Sequence, residues 1–413
     1  MQNSFKLDIG DLTEDAVQKA VEEAFSSDFV FRSPRRRGRN EVTDVLVLYD
    51  DIGLVIQAKA KAINPNANEK QDNTSWARKN LKKAFRQTKG AIRAIRDGRM
   101  TFVENKRRGR VTFEQSDYPY LYGLIVLHHQ SEPYLPQDLV PEIQDCGFPL
   151  HVLSFIDFSN LTKYLDTPSD LVNYFEHRSD VLIPTLNPEV HEEINAFEYF
   201  IDRLEDIMAL RSKARGEGDG STEQFMPYAE AMRSVVFDQN IDKRPGLIID
   251  HVINRLHEQD PDLETITVGG QVIPRIDKAV YPRIATELNK IPRVRRIALG
   301  KQFLRIARLA AEKNESHHVL THSPSRSDCL LFIASPLPKE ERRQRSEELL
   351  YMTTLGKTYH QVHRAIGIST EPAGRMGSSY DVVFLEYPPT QHKEMQELGR
   401  QVFGEPGPKL YEM

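Results

Sequence analysis

An aspartate, a glutamine and a lysine interrupt two otherwise apolar stretches, with Asp44 inside residues 41–49 and Gln57 and Lys59 inside residues 54–60. Both stretches are rich in β-branched and aliphatic residues, and Asp50, Asp51, Ile52 and Gly53 between them have the composition of a hairpin turn. A loop that pairs Asp50 with Gly53 sets Asp44 opposite Lys59 and Leu46 opposite Gln57. Side chains alternate along a strand, so Asp44, Gln57 and Lys59 then project from one side of the hairpin. Val45, Val47, Ile56 and Ala58 line the other side and can pack on a helix. A slip of one residue would scatter the set. Polar residues that break an apolar pattern in this way mark functional positions. A carboxylate, a neutral carbonyl oxygen and an ammonium suit phosphodiester hydrolysis: the oxygens hold a hard divalent cation that polarises the phosphate and acidifies a bound water. The ammonium positions that water or offsets developing negative charge.

The elements needed to hold these residues are legible on either side. A helix is expected over 12–26, with Leu12, Ala16, Ala20 and Ala24 on a stripe beside Val17, Val21 and Phe25 and with Asp11 or Thr13 as cap. A short strand follows at 28–32, then a loop at 33–40. A long helix is expected over 75–97, apolar at Trp76, Leu81, Ala84, Phe85, Ala91, Ile92 and Ile95, and ended by Gly98. A basic connection at 99–118, able to form its own hairpin, leads to continuous apolar runs at 121–128 and 150–158 that read as buried central strands. The order helix, strand, strand, strand, helix, strand, strand describes an α/β sandwich with a mixed sheet.

The stretch EVTDVLVLYDDIGLVIQAKAK, residues 41–61, resembles the core of the PD-(D/E)xK nuclease superfamily, in the variant whose second acidic residue is glutamine, as in Mrr-type restriction endonucleases and related anti-phage nucleases. The likeness extends to element order over roughly residues 10–160. It implies that Asp44 is a metal ligand, Gln57 its partner, the carbonyl of Ala58 a further ligand and Lys59 the catalytic lysine, with Mg²⁺ or Mn²⁺ as cofactor. Family members often add a glutamate from the first helix. Glu14, with Gln18 one turn on, is the best match, with Glu22 and Glu23 as competitors. Glu41 is either a second acidic ligand or an ordinary edge charge. Glutamine in place of an acid favours one metal ion over two. The setting implied is bacterial restriction or anti-phage defence in the cytoplasm.

Charge points to the same substrate class. Residues 31–110 carry 21 Lys and Arg against 8 Asp and Glu, whereas the rest of the chain carries 34 against 52. The basic residues form a candidate polyanion surface: Arg35, Arg36, Arg37 and Arg39 before the hairpin, Lys61 after it, and Lys82, Lys83, Arg86 and Lys89 on the long helix, where Gln87 either leans over the site, as the resemblance implies, or is an ordinary solvated residue. Lys106, Arg107, Arg108 and Arg110 either flank the same cleft or are flexible and unengaged loop residues. Double-stranded DNA is the expected partner. Cleavage of RNA or tRNA, and a nucleic-acid-binding subunit that no longer cuts, are the alternatives. No Walker loop or helicase motif occurs, so energy-driven translocation would need a separate ATPase or sensor subunit.

At 413 residues the chain exceeds a single core. The expected division is a nuclease domain at 1–167, a helical connecting region at 168–298 and a C-terminal α/β domain at 299–413. Val190, Ile194, Phe197, Ile201, Leu204 and Met208 form a short heptad-like seam, read as intramolecular packing in preference to a dimer. The last part runs helix at 301–313, strands at 317–322 and 329–335, helix at 339–356, strands at 365–370 and 381–387, then a helix. That order echoes the first domain without its acid and lysine and leaves room for a degenerate repeat or an assembly role in a homo-oligomer. His317, His318, His322 and Cys329 match no zinc spacing, and Cys146 and Cys329 no disulfide. No apolar run reaches the ~20 residues of a membrane helix, and no secretory leader is visible.

Overall fold

The computed structural model describes residues 9–34, 41–61, 69–129, 136–181, 193–214, 221–223, 225–238, 240–256, 266–268, 271–273, 280–322, 328–372, 374, 380–389 and 392–404. The chain divides into two compact units, Met1–Ile207 and Met208–Met413.

The first unit runs α1 (Ile9–Phe25), β1 (Val30–Arg32), β2 (Val45–Tyr49), β3 (Ile52–Ala60), α2 (Glu69–Arg96), a side hairpin of β4 (Phe102–Asn105) and β5 (Gly109–Thr112), β6 (Tyr120–His128), α3 (Val140–Gln144), β7 (Leu150–Ser154), α4 (Phe155–Tyr164), α5 (Pro168–Val181) and α6 (Glu193–Asp202). Its sheet has the order β1-β2-β3-β6-β7. β1, β2 and β3 pair antiparallel, and β3, β6 and β7 pair parallel, so the sheet is mixed as expected. A parallel neighbour needs a crossover, and α2 supplies it between β3 and β6. Every residue of β2 and the first seven of β3 are buried, because helices cover both faces of these central strands. On one face Leu46, Leu48, Val55 and Leu121 pack with Ala91, Ile92 and Ile95 of α2, and Ile125 and Leu127 pack with Leu81, Ala84 and Phe85. On the other, Phe25 of α1 and Phe175 of α5 close over Val47, Leu54 and Tyr122 around a small apolar cavity.

The register of the β2–β3 hairpin differs from expectation by two residues. Tyr49 pairs with Ile52 and Val45 with Ile56, so the turn is the two-residue Asp50-Asp51 and the pairing brings Asp44 level with Gln57 instead of Lys59. Two-residue turns match the twist of their strands, and Asp50 adopts the positive φ of 53° that such a turn requires. Gly53 is therefore a strand residue, not a turn residue. A Cβ at Gly53 would lie 2.6 Å from Cδ2 of Leu121, so its place is set by the close approach of β6. A shift of two residues preserves the faces of the strand, and the polar set stays together.

The run at 150–158 is not one strand. β7 ends at Ser154, whose hydroxyl accepts from the backbone N–H of Asp157 at 3.0 Å and caps α4. The expected connecting region is shared between the units: α5 and α6 belong to the first, where Tyr174 packs edge-on to Phe197 and Phe200. In the heptad-like seam Phe197, Ile201 and Leu204 are buried and Met208 is half-buried, while Val190 and Ile194 lie outside the residues whose side chains are described.

The second unit takes up within α7 (Leu204–Ala214) and continues through α8 (Met226–Phe237), α9 (Leu247–Arg255), the small pair β8 (Ile266–Val268) and β9 (Gln271–Ile273), α10 (Tyr281–Asn289) and α11 (Arg293–Lys313). It ends in β10 (His317–His322), β11 (Asp328–Ala334), α12 (Arg342–His360), β12 (Arg364–Thr370), β13 (Tyr380–Glu386) and α13 (Lys393–Phe403). Its sheet has the order β10-β11-β12-β13, antiparallel, parallel, antiparallel. The echo of the first unit holds through the hairpin, the crossover helix and the parallel strand. It fails at the fourth strand, because β13 returns antiparallel where β7 runs parallel. Cys146 and Cys329 are buried free thiols. Among the described residues, no helix is long and apolar enough to cross a membrane.

Replacing Gly53 by Val should lower the stability of the first unit by ~1–3 kcal/mol through overpacking against Leu121, read by denaturant titration. Unchanged stability would show that β6 yields freely at this point.

Candidate active site

The β2–β3 hairpin gathers three oxygens of different chemistry around one cation. Nζ of Lys59 donates to the carboxylate Oδ2 of Asp44 at 3.2 Å, to Oε1 of Gln57 at 3.3 Å and to the backbone carbonyl of Ala58 at 2.7 Å. The carboxylate is fixed from a second side by the backbone N–H of Ala58, which donates to the same Oδ2 at 2.8 Å. The side chains of Lys59 and Asp44 are 14% and 12% exposed, enough for a small ion or a phosphate oxygen to reach them, whereas Gln57 is 1% exposed. Asp44 and Lys59 thus meet although they are not directly opposed. Asp44 occupies the bend just before β2, and Lys59 has the reach to fold back along β3.

Both helices arrive at this end of the sheet. Thr13, near the start of α1, lies 2.7 Å from Nδ1 of His128 at the end of β6. Glu14, its neighbour, belongs to the same electrostatic field. Partial burial pushes its carboxyl above the ordinary carboxylate range, the negative charge of Asp44 pushes it further, Lys59 opposes, Glu41 adds and Arg32 opposes. Glu41 is exposed and enters through this field. Gln18 donates to Glu22 at 2.6 Å and Glu23 pairs loosely with Lys19 at 3.9 Å, whereas Glu14 is coupled through charge to Asp44 and Lys59. The imidazole of His128 is held below its usual range by burial and by the charge of His129.

The basic residues are distributed less simply. Arg35, Arg36, Arg37 and Arg39 lie outside the described residues. Lys61 directly follows β3, and its N–H donates to the carbonyl of His128 at 3.0 Å, which puts it at the site end of the sheet. Lys83, Arg86, Gln87 and Lys89 are exposed on α2, while Lys82 and Arg78 approach Asp138 at 3.4 and 3.2 Å. α2 runs antiparallel to β3, so its N-terminal part is the portion near the site. Thr88 stands over Gly123, which pairs beside Val55. Val55 is four residues before Lys59, about 13 Å along a strand. Gln87 and Lys89 therefore face solvent along the body of the helix, and Gln87 does not lean over the carboxylate. The residues of α2 that reach the site end are those around Trp76, whose ring lies 5.2 Å from that of His129.

The β4–β5 hairpin does not flank the cleft. Asn105 at its tip donates to the carbonyls of Ser27, Asp28 and Val30, and Arg107 pairs at 3.1 Å with the buried Asp28, at the end of the sheet opposite Lys59. Arg110 lies 3.6 Å over the ring of Phe102.

The sequence reading missed Thr43. Its buried hydroxyl donates to the carbonyl of Ile56 at 2.6 Å and accepts from Nε2 of Gln57 at 3.0 Å. Threonine is common in strands, and no local pattern separates one that holds a functional side chain from one that merely favours β structure.

A carboxyl whose pKa is raised on folding costs stability once it ionises. The contribution of Glu14 is intact below its unfolded value near 4.5 and is lost as pH rises through the higher folded value. Glu14→Gln should therefore raise the melting temperature in chelator near neutral pH and have no effect in acid below about pH 4. An equal effect at both pH values would place Glu14 outside this field.

No protein-family model, no curated protein and no solved structure matches the chain, and the chemistry of the site rests on these distances.

Proposed function

We propose that the first unit is a metal-dependent nuclease that hydrolyses phosphodiester bonds of double-stranded DNA, in the restriction or defence setting that its resemblance implies. The observation that carries the reading is the convergence of a carboxylate, a carboxamide oxygen and a backbone carbonyl on a single cation, the Lys59 ammonium. An all-oxygen set of this kind suits a hard divalent ion, and the ammonium stands in for one here. Asp44, Gln57 and the Ala58 carbonyl would hold Mg²⁺ or Mn²⁺, with Glu14 as a further acid in the same electrostatic field. When bound, the ion would polarise the phosphodiester and lower the pKa of a coordinated water.

The chain's own residues divide the remaining work. Asp44 supplies the one full negative charge of the three-oxygen set, and its hydrogen bond from the Ala58 N–H keeps it from rotating away. Gln57 adds an oxygen without charge, which favours one bound ion over two. Lys59 places a positive charge at the C-terminal end of the central strand β3, where it would offset charge building on phosphate oxygens. The exposed cations of α2, among them Lys79, Lys83, Arg86, Lys89, Arg93 and Arg96, can grip the phosphates of a polyanion without reading its sequence.

Supercoiled plasmid incubated with Mg²⁺ should be nicked or linearised, and chelator should abolish the reaction. Lys59→Ala and Asp44→Ala should each lower the rate at least ~100-fold while the circular dichroism spectrum is kept. Wild-type protein that binds duplex but leaves it intact at every metal concentration would instead favour a binding module. Parallel digestion of RNA distinguishes the two polymers.

Replacing Lys83, Arg86 and Lys89 together by Ala should weaken duplex binding and reduce the slope of log affinity against log salt by about 0.9 for each phosphate that is no longer neutralised. An unchanged slope would move the DNA path off α2.

A further inference from the structure

We infer that Thr43 is the positioning residue of this site: its hydroxyl locks the carboxamide of Gln57 so that oxygen, and not nitrogen, faces the cation position. The inference rests on the nuclease reading for its consequence, though not for its geometry. Oxygen and nitrogen of a carboxamide are interchangeable in shape, and what distinguishes them is the proton each partner has to give. Thr43 has a single hydroxyl proton, and both acceptors that it faces are main-chain carbonyls, that of Ile56 at 2.6 Å and, more distant, that of Val45 at 3.4 Å. The lone pairs left over can only accept, so the group facing them at 3.0 Å must be the Gln57 NH₂. The same rotation turns Oε1 toward Nζ of Lys59 at 3.3 Å, and a flipped amide would set two N–H donors against an ammonium and an oxygen against an oxygen.

Burial makes the arrangement rigid. Thr43 and Gln57 are each 1% exposed, so water is not at hand to replace either partner. The carbonyl that takes the Thr43 proton belongs to β3, one residue before Gln57, so the hydroxyl ties the bend before β2 to the strand that carries the ligand. A glutamate at position 57 would present a second acceptor to a hydroxyl whose proton is already spent. Thr43 therefore suits glutamine at this position and keeps the Gln57 oxygen turned to the cation as a neutral ligand.

The test uses the full chain with Mn²⁺ alone as probe, read by loss of the free-ion electron paramagnetic resonance signal. Thr43→Val keeps the shape and removes the hydroxyl, and Thr43→Ser keeps the hydroxyl. Thr43→Val should weaken Mn²⁺ binding ~10–100-fold, Thr43→Ser should stay within about threefold of wild type, and Thr43→Val should add nothing in a Gln57→Met background. Undiminished affinity in Thr43→Val, or an equal loss with and without the Gln57 amide, overturns the inference. A second readout needs no metal. In nitrogen–proton NMR spectra the Gln57 side-chain amide should resist hydrogen exchange in wild type and Thr43→Ser, and exchange fast in Thr43→Val. An unprotected amide in wild type overturns the inference even where Mn²⁺ binds. A protected amide in a wild-type protein that binds no Mn²⁺ upholds the hold of Thr43 on Gln57 and sinks the nuclease reading instead.

Discussion

A lysine ammonium held by a carboxylate, an amide oxygen and a main-chain carbonyl is stable at a nearly closed position only if all three acceptors are aimed at it beforehand. In the first unit that requirement is met by two strands and one turn. The Asp50-Asp51 turn sets the register, the register puts Gln57 beside the bend that carries Asp44, and the N–H of Ala58 anchors the carboxylate. Everything else in the unit can be understood as support for this hairpin. α2 packs against the face that carries the polar set and shields its inner end, α1 and α5 cover the opposite face, and β6 lies close enough to β3 that Gly53 has no room for a side chain.

Under the proposed nuclease reading, the same cation that compensates the site would share its oxygens with a metal ion. Lys59 is long and slightly exposed, and each of its three hydrogen bonds joins a flexible chain to a fixed acceptor. The acceptors are the built part and the ammonium is the movable part. That asymmetry is what a site needs if it is to remain folded both with and without a divalent ion, since an uncompensated buried carboxylate would be costly.

The second unit uses charge differently. The Arg364 guanidinium forks onto Asp328 at 2.7 and 2.8 Å with Glu287 at 3.1 Å, and Arg345, fully buried, pairs with Asp381 at 2.5 Å. These acids are matched by rigid arginines, which favours internal ties between helix and sheet over exchangeable ligand sites. The likeness of its element order to that of the first unit does not extend to the direction of its last strand.

Composition and periodicity by themselves determined that the chain is α/β, that its first part orders helix, three strands, helix and two strands, and that Asp44, Gln57 and Lys59 share a face. Alternation along a strand is a local property, and it survived a two-residue error in register because the period of a strand is two. Tertiary structure alone decided the turn, the end of β7 at Ser154 and the sharing of the helical middle between two units. It also decided that the β4–β5 hairpin turns its arginines away from the site, that Gln87 lies along the body of α2, and that Thr43 holds Gln57. Each of these depends on which surfaces meet across long separations in the chain. A hydroxyl, an arginine or a glutamine carries no mark in the sequence of the partner it will find.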